Sequence, residues 1–163
     1  GAGVIGIAAS CFNGDIALQH INLDEFNLEH ISDYAFKGCE ALVTLRMPDS
    51  LKTIGKKAFE NCTGLLLVSF FGDNPQLESI NEWAFLGCSS LMGLSIPASV
   101  TYIGEGIVGD CEHLYSLEVM PGNQKYMSKS NMIIDIENQK IIAGCNGSGS
   151  IPTDSKMVNR VSN

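Results

Sequence analysis

Six cysteines are the residues best equipped to do chemistry in this 163-residue chain, and their spacing decides what that chemistry could be. Cys39, Cys62, Cys88 and Cys111 follow one another at steps of 23, 26 and 23 residues, with Cys11 and Cys145 outside the series. No pair has the C-x-x-C spacing that converges ligands on zinc. A nucleophilic thiol needs an exposed, electropositive niche that lowers its pKa. Cysteines recurring at one place in an acidic protein read instead as an inward column of small apolar residues. Buried free thiols are therefore the first reading. Disulfides between neighbouring copies are the second, within reach in Cα separation but opposed by parallel side-chain directions. Cys11 and Cys145 read as packing residues. His20, His30 and His113 fall in three different copies without ligand spacing, and no serine stands in a Gly-x-Ser-x-Gly elbow. Asp135 and Glu137 are a candidate carboxylate pair, for which a solvated turn is the simpler account. Asn61-Cys62-Thr63 and Asn146-Gly147-Ser148 match the glycan-acceptor pattern and are assigned no role. These residues call for no catalysis, no cofactor and no metal.

The spacing that positions the cysteines belongs to a longer line. Ile31, Ala35, Phe36, Cys39, Leu42, Leu45, Met47 and Pro48 return as Ile54, Ala58, Phe59, Cys62, Leu65, Val68, Phe70 and Phe71. They return again as Ile80, Ala84, Phe85, Cys88, Leu91, Leu94, Ile96 and Pro97. Ile103, Ile107, Val108, Cys111, Leu114, Leu117 and Val119 make a fourth copy, and Ile7, Cys11, Phe12, Asp15, Leu18, Ile21 and Leu23 a degenerate first one. The Phe column reads Phe12, Phe36, Phe59, Phe85, Val108, with steps of 24, 23, 26 and 23 residues. A period of this length predicts a solenoid, in which no coil buries its apolar face alone. The slippage must fall in loops, because an insertion inside a core face would rotate every later side chain out of register.

Composition fits one such domain. Hydrophobic residues make up 45% and charged residues 17%, enough for a continuous core. A net charge of -8 argues against nucleic acid, which needs a basic stripe. No apolar run approaches a membrane span, since Leu65 to Phe71 is interrupted by Ser69. Val4 to Cys11 imitates an export segment ending in a lipid-modified cysteine, but it lacks a positive flank and fits the repeat register. The first coil begins almost at residue 1, the expectation for a mature or excised piece whose export signal lies upstream.

Within a coil, Leu42 to Pro48 and Leu91 to Pro97 alternate as short strands, with Leu45 and Met47 inward and Thr44 and Arg46 outward. Proline ends the strand because it donates no ladder hydrogen bond. Leu51 with Ile54, or Val100 with Ile103, lines the opposite wall. Gly55 to Asn61 reads as a compact helical turn, with Ala58 allowing close approach and Phe59 plugging the core. Gly14, Gly38, Asn61, Gly87 and Asp110, before each column cysteine or its stand-in, are types that tolerate a left-handed turn.

The pattern I-x-x-x-A-F-x-x-C-x-x-L-x-x-L-x-I-P-x-x-V-x-x-I resembles the BspA-type leucine-rich repeat over residues 7 to 121. Asn131 to Asp135 and Lys140 to Cys145 resemble a hairpin insertion common in that family. Ile151-Pro152 and Val158 look like the start of another coil. The resemblance implies an α/β repeat: a leucine-rich-repeat solenoid with a parallel sheet on the concave face, short helical turns or irregular coil opposite, and a C-terminal β-hairpin. It divides the chain into 1-121, about five coils opening near Ile7, Ile31, Ile54, Ile80 and Ile103, and 122-163, hairpin and partial repeat acting as a cap. It further implies a secreted or cell-surface bacterial module that binds a protein or glycan in adhesion or host interaction. A spacer holding another domain away from the surface is the alternative.

The family pattern names no binding residue, so candidates come from the outward strand positions. These form two ladders on the concave face, where the stacked strands are expected to make the parallel sheet: His20, Thr44, Leu67, Gly93 and Ser116 beside Asn22, Arg46, Ser69, Ser95 and Glu118. The candidate partner-binding residues are His20, Asn22, Thr44, Arg46, Leu67, Ser69, Ser95, Ser116 and Glu118; neither the ligand's identity nor the oligomeric state is written in them. The third coil departs from the rest. Leu67 points outward there, Phe71 replaces the strand-ending proline, and the loop Gly72 to Gln76 holds the three extra residues. That exposed apolar surface beside a loop is a contact site, or Phe71 packs beneath the loop to compensate for the insertion.

Overall fold

The computed structural model describes residues 3–147. The expected coil around Ile151, Pro152 and Val158 lies outside them. Among the described residues the strands are β1 (Gly6–Ile7), β2 (His30–Ile31), β3 (Thr44–Met47), β4 (Thr53–Ile54), β5 (Leu67–Phe70), β6 (Ser79–Ile80), β7 (Gly93–Ile96), β8 (Tyr102–Ile103), β9 (Ser116–Val119), β10 (Tyr126–Lys129), β11 (Met132–Asp135) and β12 (Lys140–Ala143). They wind into a β-solenoid of about five turns.

The expected helical turns do not form: no helix occurs among the described residues. The reason is where the backbone hydrogen bonds go. Tyr34, Phe36 and Gly38 donate their N–H groups to Lys56, Ala58 and Glu60 of the next coil at 2.9, 2.8 and 2.7 Å. The intervening Ala35, Lys37 and Cys39 donate three residues back within their own coil, to Ser32, Tyr34 and Phe36 at 3.3, 3.2 and 3.1 Å. An α-helix would consume these groups internally and leave none for the neighbour. Left-handed residues keep the chain in this alternation. Tyr34, Lys57 and Trp83 have φ of 59°, 54° and 57°, and Gly14, Gly38, Asn61, Gly87 and Asp110 have 76°, 73°, 58°, 73° and 54°. At the second set, glycine and asparagine or aspartate meet the low steric cost this region demands.

Inside the coil, this register stacks the aromatic column. Phe12 and Phe36 lie 5.1 Å apart at 9°, Phe36 and Phe59 5.2 Å at 4°, and Phe59 and Phe85 5.3 Å at 6°. Phe36, Phe59 and Phe85 are fully buried, together with the Ala, Cys and Leu columns beside them. The core is therefore a set of parallel columns running along the stack.

Two walls flank the spine. One is a continuous five-stranded parallel sheet, β1-β2-β4-β6-β8, made of two-residue strands whose second member (Ile31, Ile54, Ile80, Ile103) points inward. The wall expected to carry the continuous sheet is instead split. β3 pairs with β5 and β7 with β9, both parallel, and no ladder joins β5 to β7; residues 18–22 form no strand at all. The prolines account for the split. Phe71 donates to Met47 at 3.0 Å and Met120 to Ile96 at 2.8 Å, closing each paired ladder. Pro48 and Pro97 occupy that same position in the other two coils and have no N–H to give. On this wall, a strand followed by proline forms no ladder with the coil before it.

Beyond Gly122 the expected hairpin is a three-stranded antiparallel sheet, β10-β11-β12. It closes the end of the stack with side chains. Tyr126 Oη accepts the buried N–H of Ile103 at 3.0 Å, Ser128 Oγ that of Val119 at 2.9 Å, and Asn131 Oδ1 that of Leu117 at 3.2 Å. The edges of β8 and β9, which would otherwise pair with another strand, are thereby occupied.

Two stability measurements check this account. Phe59→Ala should lower unfolding free energy in urea by about 3 to 5 kcal/mol, because it opens a cavity between two aromatic neighbours. A loss under about 1 kcal/mol would show that the Phe column is not the spine. Tyr126→Phe should cost about 1 to 3 kcal/mol by leaving the Ile103 N–H buried and unpaired, whereas an unchanged midpoint would remove the cap role of the hydroxyl.

Candidate interaction surface

The thiols are settled first. Cys11, Cys39, Cys62, Cys88 and Cys111 are free thiols, and the four in the column are buried. Each donates to the carbonyl of the phenylalanine one coil earlier: Cys39 to Phe12, Cys62 to Phe36 and Cys88 to Phe59 at 3.1 Å, and Cys111 to Phe85 at 3.2 Å. That carbonyl also receives a main-chain N–H from its own coil, as Phe36 does from Cys39 and Phe59 from Cys62. Burial pushes the Cys39 and Cys111 thiols up to about 11, the opposite of what a nucleophile requires. Cys88 is pushed well up as well, through its contact with Cys62 and then its burial. The thiols are structural donors.

The carboxylate pair dissolves in the same way. Asp135 is buried and takes the N–H of Asn138 at 3.0 Å and its side-chain amide at 2.8 Å, while Glu137 is exposed. Burial would raise the Asp135 carboxyl, but these donors, helped by Lys125, outweigh it and hold the group below its ordinary value. It closes the turn between β11 and β12. Among the described residues no group of three or more His, Cys, Asp or Glu side chains is placed to hold a metal.

What is left is the outer side of the split wall. His20, Asn22, Thr44, Arg46, Leu67, Ser69, Ser95, Ser116 and Glu118 are all exposed. Parallel pairing sets Thr44 beside Leu67, Arg46 beside Ser69, Gly93 beside Ser116 and Ser95 beside Glu118. His20 and Asn22 sit outside the ladders, yet share a shallow hollow with Thr44, Arg46 and Phe71. Arg46 lies 4.1 Å over the Phe71 ring, so the residue that replaces the strand-ending proline is a platform for the guanidinium.

A deeper cleft of about 790 Å³ opens where the two strand pairs fail to join. Ser69 and Phe70 form one side, Ser95 and Pro97 the other, Met120 and Pro121 the far end, and the inserted loop Gly72 to Pro75 the rim. The loop is tied down by the Asn74 N–H, which donates to Asp49 Oδ2 at 2.9 Å, and by the Gln76 N–H, which donates to the Asp49 carbonyl at 2.9 Å.

One column of this surface escaped the sequence reading. Leu66, Met92 and Tyr115 are joined through the backbone, Leu66 donating to Val43 at 2.8 Å, Met92 to Leu66 at 3.3 Å and Tyr115 to Met92 at 3.1 Å. Their side chains are 38%, 57% and 60% exposed, and Leu67 beside them 56%. The signal was available: each stands directly after the buried Leu65, Leu91 or Leu114, at a position that faces out.

A family model described as the BspA type leucine rich repeat region matches residues 5–132 with six copies. The chain belongs to that family. Among solved structures, the pneumococcal vaccine antigen PcpA superposes with a TM-score of 0.71 at 28% identity over 76% of this chain and 30% of that one. A leucine rich cell surface protein of Faecalibacterium prausnitzii gives 0.73 at 26% identity, over 85% and 36%. A leucine rich repeat protein of T. pallidum gives 0.56 at 28%, over 71% and 51%. The chain thus spans about a third of the first two. Among curated proteins none matches. For this BspA-type repeat chain the family gives a protein-interaction or structural module, and no catalytic family is indicated. No described helix is long and apolar enough to cross a membrane.

The thiol assignment predicts a reactivity pattern. In the native protein a thiol reagent should label Cys11 readily and the four column cysteines only after unfolding. Rapid native labelling of Cys39 or Cys62 would refute the column's burial. Because the folded pKa of Cys39 and Cys111 exceeds that of an unfolded thiol, near 8.5, their contribution to stability is intact below that value. It should fall away as pH rises through about 11, and a midpoint that stays flat over this window would argue against neutral, bonded thiols.

Proposed function

We propose that this chain is the interaction module of a secreted or cell-surface protein, and that it binds a protein partner across the outer side of the split wall. The observation that carries the reading is the contrast between the two walls. The five-stranded wall is built from two-residue strands and engages its own side chains: His30 Nδ1 meets Thr53 Oγ1 at 2.9 Å and Lys52 pairs with Glu29 at 3.5 Å. The split wall leaves Leu66, Leu67, Met92 and Tyr115 uncovered, and a cleft opens farther along its strands. Monomeric surfaces seldom leave apolar groups contiguous without a use. A position at the cell surface is supported by likeness to the F. prausnitzii protein, which is named as a cell surface protein, and to the pneumococcal vaccine antigen; a part in adhesion or host contact is proposed with it. We further take residues 1-121 as the repeat body and 122-163 as the cap, supported by the hydrogen bonds that Tyr126, Ser128 and Asn131 make to the last coil.

The test replaces His20, Arg46, Leu67 and Glu118 together, by alanine and separately by residues of opposite character. The immobilised chain is then compared with each variant for retention of purified matrix and cell-surface proteins. Loss of a retained protein in both variants, with unfolding midpoints unchanged, is the expected result. Identical retention by all three would leave the spacer role in its place.

A further inference from the structure

We propose that the gap between β5 and β7 takes a short extended segment of a partner protein, which pairs as a strand with the open edge of β5. The inference rests on the interaction reading above and names the means by which that wall holds its partner.

Alternation fixes which main-chain groups face the gap. In a parallel ladder the N–H and C=O of one residue point to the same side, and those of the next residue point to the other. The Phe71 N–H donates to Met47 at 3.0 Å, so Phe71 and Ser69 face β3, while Val68 and Phe70 face towards β7. The Met120 N–H donates to Ile96 at 2.8 Å, so Leu94 and Ile96 face β9, while Ser95 and Pro97 face back towards β5. The two coils are joined just before these strands, where the Met92 N–H donates to the Leu66 carbonyl at 3.3 Å. Beyond that point no ladder connects them. Val68, Phe70, Ser95 and Pro97, the residues whose main chain faces the gap, all line the cleft of about 790 Å³. The repeat register sets the Phe70 carbonyl opposite Pro97, which has no N–H to offer it.

These groups select the chemistry of the occupant. An open strand edge is a template for another chain. Its donors and acceptors recur at every second residue, roughly 6.6 Å apart, and an extended main chain repeats at that same distance. The side chains add an apolar surface. Phe70 is partly exposed, whereas its counterparts Met47 and Ile96 are 2% and 0% exposed. Its ring shares the cleft with Met120, which is 45% exposed, and with Pro121. A bound strand turns alternate side chains to this lining and the others to solvent, so the segment carries apolar residues at every second position. Main-chain bonds then supply affinity, and the lining supplies selection.

Amide hydrogen exchange on the full chain tests the edge itself. Val68, Phe70 and Ser95 should exchange at least about tenfold faster than Phe71 and Met120, whose N–H groups are bonded within the strand pairs. Equal protection would mean a closed gap and would overturn the proposal. For the occupant, the probe is a phage-displayed library of random octapeptides. Enriched peptides should carry apolar residues at alternate positions, and bound peptide should slow exchange at Val68 and Phe70. N-methylation of such a peptide should weaken binding about tenfold or more at alternate residues, where a main-chain donor is lost. Met120→Ser, at an exposed lining residue, should weaken it severalfold. Enrichment of no peptide, or an N-methyl scan without a costly position, would overturn strand pairing. If the His20, Arg46, Leu67 and Glu118 variants still lose their retained protein in that case, the interaction surface stands without the strand; if they retain it, both readings fall.

Discussion

Everything in this molecule depends on the hydrogen bonds that run between coils through the turn segment. Phe12 donates to Ala35 at 2.7 Å, Phe36 to Ala58 at 2.8 Å, Phe59 to Ala84 at 2.8 Å and Phe85 to Ile107 at 2.9 Å. These bonds hold successive coils near the roughly 4.8 Å separation of hydrogen-bonded strands. Aromatic rings left to themselves favour an offset or edge-to-face arrangement. Here a main-chain register stacks them almost parallel at 5.1 to 5.3 Å. The same register brings each cysteine sulfur under the preceding phenylalanine carbonyl, so aromatic spine and thiol ladder are consequences of one constraint. Substituting a column residue thus alters both the coil it belongs to and the one next to it.

The sequence exposes these columns because core positions repeat by identity. Ala35, Ala58 and Ala84, or Cys39, Cys62, Cys88 and Cys111, can be aligned by eye, and each is buried as its column requires. The turn was harder to read. Ala-Phe-x-x-Cys has the spacing of one helical turn, and nothing local says that alternate N–H groups will be claimed by the next coil. That choice is tertiary, and it appears in sequence only as left-handed residues, of which glycine and asparagine are recognisable and Tyr34, Lys57 and Trp83 are not. Proline misled in a related way. Within one coil it marks a strand end; between coils its missing donor also decides which strands pair, and that second effect requires knowing which carbonyl lies opposite.

The outer side of the split wall was legible in part for the same reason. Outward strand positions follow from alternation, so Thr44, Arg46, Ser69, Ser95 and Glu118 could be placed on one side before any coordinate was known. Met92 and Tyr115 do not follow from alternation, because they precede the strand, and only their place after a core leucine marks them. Their exposure goes with their place directly after the buried Leu91 and Leu114, not with a period of two.

The split wall is also where this solenoid can change without harm. Three extra residues enter between Phe59 and Phe85, yet those rings stack at 5.3 Å and 6°, and β4 still pairs with β6 in register. The insertion is absorbed on the side where Pro97 has already removed a cross-link between coils. A loop added at a fully laddered strand end would have to break hydrogen bonds to find room, whereas at this joint it only widens a gap. The cleft and the apolar column therefore lie on the part of the repeat least bound by the spine's register. A surface that recognises a partner needs shape and charge to differ from coil to coil, and the backbone bonding leaves that freedom on this wall.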